Sequence, residues 1–250
     1  MKKFKAAIQL YTVRETLARD FAGTLRALRD MGYEAVEWAY YYGGLEPGAL
    51  SGLMREIGLE TCGIYEDLPV ITDPSGRAAA YARALGTKDL TSDCCSFVRT
   101  DWTAGVGKFI EAAKHVRSQG LRLLYHNHAE EFEKFGGKTA LQILADSAGP
   151  ELGLFEFDAG FAAQSGCDPA AVIWQLGGRV AKIHLRDLDR ESRKDFVEIG
   201  SGLLDIPGIC AAAHEAGAAW AVVEQCRSRT SELDSARKSV DYLKRAGLVS

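Results

Sequence analysis

The chain has 250 residues, 47% of them hydrophobic and 26% charged, a balance that lets a chain of this length bury a sizeable core. Its net charge of −4 excludes nucleic acid or an anionic membrane surface as the main partner, although a local cluster of Arg and Lys can still hold a small phosphate ester. Six cysteines (Cys62, Cys94, Cys95, Cys167, Cys210 and Cys226) form no CxxC pair and no regular framework, which reads as reduced thiols.

Strand-type runs alternate with helix-type runs along the chain. In order, the pattern predicts strand Ala6–Tyr11, helix Phe21–Met31, strand Ala35–Ala39, helix Pro47–Ile57, strand Glu60–Ile64 and helix Ser75–Leu85. It continues with strand Asp89–Ser92, helix Val106–Gln119, strand Arg122–His126, helix Thr139–Ala148, strand Leu152–Phe157 and helix Asp168–Leu176. Strand Val180–His184, helix Ile206–Ala216, strand Trp220–Glu224 and helix Ser231–Ala246 complete it. Gly32, Gly58, Gly120 and Gly217 stand where helix C-caps belong, and Asp73-Pro74 and Asp168-Pro169 stand where N-caps belong. Eight strand–helix repeats without a Pro/Ser linker predict one domain over 1–250, a single (β/α)8 TIM barrel of parallel strands. The rival doubly wound sheet is rejected, because the first turn reads Tyr11-Thr12-Val13-Arg14-Glu15 instead of a glycine-rich fingerprint.

Targeting signals are not visible. The opening MKKFKAAIQLYTVRE has a short apolar run broken by Gln9, and no stretch approaches the roughly 18 apolar residues of a spanning helix. The expectation is a cytoplasmic protein with no membrane partner, and a homo-oligomer is compatible with the composition.

The ends of the later strands are unusually polar. Strand five runs into His126-Asn127-His128 with Glu130-Glu131 beyond, strand six into Asp158-Ala159-Gly160, strand seven into His184-Leu185-Arg186-Asp187, and strand eight into Glu224-Gln225. In a barrel these positions share one rim, where active groups gather. Carboxylates together with imidazoles suit one divalent ion such as Mn²⁺, Zn²⁺ or Co²⁺. Each residue also has a plainer reading. Asp158 could cap a helix, a weaker reading because the next predicted helix starts only at Asp168, and His184 could be a hydrogen-bonded core histidine. Arg186 could reach substrate or pair outward with Asp187 or Asp189. Glu37 and Trp38 of strand two could line the pocket, as could Tyr40, Tyr41, Tyr42 and Trp102, or pack and pair structurally. Gly200-Ser201-Gly202 could bring backbone N–H groups to an oxyanion.

The segments YHNHAEEF (125–132), FDAGFAAQSGCDP (157–169), KIHLRDLD (182–189), EIGSGLLDIPGI (198–209) and WAVVEQ (220–225) resemble the xylose isomerase-like TIM barrels, as do IQLYTVRE (8–15) and GYEAVEWA (32–39). That superfamily holds sugar isomerases, keto-sugar epimerases, inosose dehydratases and endonuclease IV. The resemblance implies metal ligands Asp158, His184 and Glu224. Its strand-five ligand falls on Glu131 with His126 as proton-handling neighbour, or on the two exchanged, so that His126, Glu131 and Glu224 are the catalytic candidates. His128, Arg186, Glu37 and Trp38 are the candidates for substrate contact. The chain departs from the family pattern at Phe161, where His or Trp is common, at Cys226, where Asp is common, and at Tyr65-Glu66, where His is common.

The implied chemistry is proton abstraction next to a metal-bound carbonyl of a small polyhydroxylated substrate, giving isomerisation or epimerisation through an enediolate. A lyase or dehydratase acting on a keto-sugar or keto-inositol is the alternative on the same site, and a non-catalytic sugar-binding barrel is a third reading. A nuclease is disfavoured, since five histidines and a net charge of −4 supply neither a multi-metal cluster nor a basic groove.

Overall fold

The computed structural model describes residues 3–93 and 102–250, without the side chains of residues 102 and 103, so Cys94, Cys95 and the ring of Trp102 lie outside the described residues. Eight parallel strands close into a barrel: β1 (Lys5–Gln9), β2 (Ala35–Ala39), β3 (Glu60–Tyr65), β4 (Asp89–Ser92), β5 (Arg122–His126), β6 (Leu154–Asp158), β7 (Val180–Leu185) and β10 (Trp220–Val223). Closure comes from β1, which pairs with β2 on one side (Ala7 beside Ala35) and with β10 on the other (Lys5 beside Trp220). Covered on both faces, the strands are buried almost throughout, as β2 is at all five positions.

The helical periodicity translates into amphipathic helices around the barrel. Helix Phe21–Met31 buries Thr24, Leu25, Leu28 and Met31, and its chain reverses at Gly32 with φ 96°, which the missing Cβ permits. Asp168 caps helix Pro169–Leu176 by accepting the Ala170 N–H at 3.0 Å. The expected cap at Asp73 is instead a local turn onto the Ser75 N–H, and the helix starts later, at Arg77.

Other boundaries also shift. β1 stops at Gln9 because Leu10–Val13 turn into a 3₁₀ segment, which puts Tyr11 at the barrel mouth. β6 starts at Leu154, since the N–H groups of Leu152 and Gly153 both bond back to the Gly149 carbonyl. Helices Arg14–Arg19, Leu68–Ile71 and Ala159–Gln164, and a two-stranded ribbon of β8 (Asp187–Leu188) with β9 (Phe196–Val197), were not anticipated by the periodicity.

The barrel interior departs from the usual stack of branched aliphatic layers. Its apolar plug is a small cluster of Ala7, Ala35, Cys62 and Val222. Above it lies a layer of charge. The large apolar core sits between the outer face of the sheet and the helices. Cys62, Cys167, Cys210 and Cys226 are free thiols. Among the described residues no helix is long and apolar enough to cross a membrane.

Candidate metal centre at the barrel mouth

The deepest charged layer is organised around Lys182, an inward position of β7 with no solvent exposure. Its ammonium bonds to Glu37 of β2 and Glu156 of β6, with Thr91 Oγ1 of β4 at 3.3 Å. Glycine at position 63 makes room for it, because a Cβ there would fall 2.2 Å from Lys182 Nζ. Burial alone would lower the Lys182 pKa, but Glu156 and Glu37 outweigh it and hold the group well above its ordinary value.

His184 links this layer to the next. Its Nε2 lies 2.8 Å from Glu37 Oε2 and 2.9 Å from Glu156 Oε1, and its Nδ1 lies 2.8 Å from Glu224 Oε2. Burial disfavours the imidazolium, yet the Glu156 and Glu37 carboxylates push its pKa well above the usual value. Glu224 shows the converse. Burial raises it, and Arg186 together with His184 more than offsets that, leaving its carboxyl well below the usual carboxylate range.

The upper layer is set by strand ends. Asn127 and the backbone of Asp158 exchange two hydrogen bonds (3.0 and 3.2 Å), which fixes the ends of β5 and β6 against each other. Asp158 does cap a helix after all: its Oδ1 accepts the Phe161 N–H at 2.8 Å at the start of Ala159–Gln164. Its Oδ2 accepts from Arg186 Nε at 2.6 Å. Arg186 therefore turns inward, reaching Glu224 Oε2 at 2.5 Å, and not outward to Asp187 or Asp189. Asp187 instead accepts the N–H groups of Leu188, Gly200, Gly202 and Leu204, so the oxyanion met by Gly200-Ser201-Gly202 is this carboxylate.

Among the described residues, His126, Asp158, His184 and Glu224 bring ligand-type atoms within 4.8 Å of one another, and Glu37, Glu156 and His184 form a second such group. Lys182 already bonds both carboxylates of the second group. Glu131 is in neither group. It is buried, accepts Tyr125 Oη–H and the His128 N–H at 2.9 Å each, and burial raises its pKa. The strand-five contribution to the convergent set is thus His126, whose Nδ1 faces Glu156 Oε1 at 3.4 Å without completing a hydrogen bond.

A cavity of about 310 Å³ opens over this set, walled by Tyr11, Tyr40, Tyr65 and Phe161 and furnished with Gln9, Asp93, His128, Arg186 and Cys226. It is at the small end of ligand pockets. Two larger hollows of about 620 and 680 Å³ lie between outer helices and hold none of these groups, while a third of about 670 Å³ adjoins the cavity, sharing Phe161 and Cys226 with it. His128 stands in the wall, with its Nδ1 3.8 Å from Asp93 Oδ2, which also accepts the Tyr65 hydroxyl at 2.7 Å. Burial and the neighbouring His126 bring the His128 pKa down to about 4, so the ring is neutral near pH 7.

Two expected substrate contacts lie elsewhere. Trp38 is fully buried on the outer face of β2, between Phe21 and Tyr42, with its indole N–H on Thr61 Oγ1 at 3.1 Å. The strand period of two that turns Glu37 inward necessarily turns Trp38 outward. Glu37 sits a layer below the cavity, holding Lys182, His184 and Gln9. Asn127, Glu156, Lys182, Tyr65 and Asp93 were missed. The available signal was a charged residue between apolar neighbours in Phe155-Glu156-Phe157 and Ala181-Lys182-Ile183.

Comparison with known proteins agrees with this architecture. A sugar phosphate isomerase/epimerase from Parabacteroides distasonis superposes with a TM-score of 0.84 at 19% identity, over 100% of this chain and 96% of that one. The IOLI protein, solved with a bound zinc atom, superposes with a TM-score of 0.72 at 14% identity over 96% and 97%. At these identities the likeness is one of fold. Inosose dehydratase 2 from Bacillus cereus is 26% identical over 122 residues, 45% of this chain and 40% of that protein, so the match spans well under half of that relative. Residues 25–246 match the model of the xylose isomerase-like TIM barrel, and the chain belongs to that family.

Proposed function

We propose that this protein is a divalent-metal-dependent isomerase or epimerase of a sugar or keto-sugar. The observation that carries the reading is the convergence of His126, Asp158, His184 and Glu224 beneath a small polar cavity with aromatic walls. The donor set of two imidazoles and two carboxylates suits Mn²⁺, Zn²⁺ or Co²⁺. His126 Nδ1, buried and without a hydrogen-bond partner among the described residues, is a donor atom that fits such a centre. These four residues would hold the ion, with His126 taking the strand-five place in preference to Glu131.

A bound ion would supply Lewis acidity to a carbonyl and its neighbouring hydroxyl, stabilising the negative charge that builds as a C–H proton leaves. The chain's own residues do the rest. His128 presents a neutral imidazole at the cavity wall and can accept that proton on a ring nitrogen. Asp93 lies 3.8 Å from its Nδ1 and is itself held by the Tyr65 hydroxyl, which places a carboxylate beside the ring. Tyr40 and Tyr65, in edge contact at 5.6 Å, offer apolar surface to the C–H face of a sugar. Returning the proton to the other face or carbon gives epimerisation or isomerisation.

The matched segment of inosose dehydratases favours one second reading, loss of a β-hydroxyl from a keto-sugar or keto-inositol at the same site. Elemental analysis of protein purified without chelator tests the shared premise. Close to one divalent ion per chain is expected. Below about a tenth of an equivalent, with no uptake of added Mn²⁺ or Zn²⁺, the metal-enzyme reading fails.

A further inference from the structure

The site already holds a cation, the guanidinium of Arg186. Its Nε bonds Asp158 Oδ2 at 2.6 Å, its Nη2 bonds Glu224 Oε2 at 2.5 Å, and its Nη1 reaches Cys226 Sγ at 2.9 Å. The guanidinium carbon lies 4.6 Å from the ring centroid of Phe161 and 4.9 Å from that of Phe196. Only 2% of the side chain is exposed. Room for it depends on Gly160, where a Cβ would fall 2.6 Å from Arg186 Cβ.

This places one charged group on two of the four convergent residues. Both Asp158 oxygens are engaged, Oδ1 by the Phe161 N–H and Oδ2 by the Arg186 guanidinium. Glu224 Oε2 is shared between Arg186 and His184. Phe161 and Cys226 hold the guanidinium from the rim, one by its ring face and the other by its sulfur.

We infer that Arg186 controls occupancy of the metal centre: its guanidinium and a divalent ion compete for Asp158 and Glu224, and the ion binds as Arg186 leaves them. The inference rests on the metal-centre reading. Arg is suited to the role because its permanently charged planar fork presents separate donors, Nε to Asp158 and Nη2 to Glu224.

Titration calorimetry of chelator-stripped protein with Mn²⁺ and with Zn²⁺ decides the matter, comparing wild type with Arg186→Met, Arg186→Lys and Phe161→Ala. The expected result is about tenfold or greater tightening for Arg186→Met, with smaller gains for Arg186→Lys and Phe161→Ala, all at one ion per chain. Circular dichroism on each variant checks folding, and Phe161→Ala carries the test if Arg186→Met does not fold. Wild type that binds the ion while the substituted proteins bind it equally or more weakly overturns the competition and leaves the metal centre standing. No binding by any of the four proteins overturns both.

Discussion

Glu131 Oε2 accepts the backbone N–H of His128 at 2.9 Å, so the carboxylate closes the short loop after β5 onto itself. Its other oxygen takes the Tyr125 hydroxyl at the same distance, and the side chain is fully buried. Glu131 positions His128 and does not join the convergent set. Glu131→Gln is accordingly expected to keep the metal, whereas His126→Asn loses it. Metal content of the two variants checks this, and loss from Glu131→Gln with retention in His126→Asn would restore Glu131 as the ligand.

The wall residue His128 is assigned the proton transfer. His128→Gln should retain the metal and the fold while turnover falls about 10²–10⁴-fold, the usual contribution of a general acid–base group. A loss below about fivefold, measured on a substrate that wild type converts, would move the assignment to another residue.

The (β/α)8 architecture was legible because each strand and helix carries its own period and each turn its own punctuation, as at Gly32 and Asp168. The rim was legible for the same reason: alternation along β6 and β7 puts Asp158 and His184 at strand ends. Less could be read where a residue's partner is remote in sequence. Lys182 meets Glu37 across 145 positions, and nothing local separates such a buried lysine from one facing water. The choice between His126 and Glu131 hung on how a loop closes. The cap role of Asp158 was the weaker reading because Ala159–Gln164 is only six residues long, too short for a periodic signal.

The ionic interior makes its own prediction. Lys182→Met leaves Glu37 and Glu156 facing each other without their cation, and removing one partner of a buried ion cluster costs about 3–5 kcal/mol. For a chain of this size that corresponds to a fall in Tm of about 6–20 °C. Adding Glu37→Gln and Glu156→Gln should recover part of the loss, since the uncompensated charge goes with them. A Tm within about 2 °C of wild type for Lys182→Met alone would contradict the assignment.

Tyr40 holds φ at 61°, a backbone region that costs a side chain about 1–2 kcal/mol, and its ring is 47% exposed at the cavity. Strain kept at an exposed position points to use by a ligand. Tyr40→Gly should leave stability within about 1 kcal/mol of wild type, because relief of strain offsets the lost contact with Tyr65, while KM rises. Chemical denaturation together with steady-state kinetics separates the two effects, and an unchanged KM would remove Tyr40 from substrate binding.

Metal-assisted proton abstraction is tested most directly by following exchange of substrate C–H for solvent deuterium by NMR, across a panel of keto-pentoses, keto-hexoses, their phosphates and keto-inositols. Exchange is expected at a carbon next to the carbonyl for at least one member, abolished by chelation and restored by Mn²⁺, Zn²⁺ or Co²⁺. Protein that carries its ion and exchanges no C–H in any member would contradict it and mark the barrel as a binding protein.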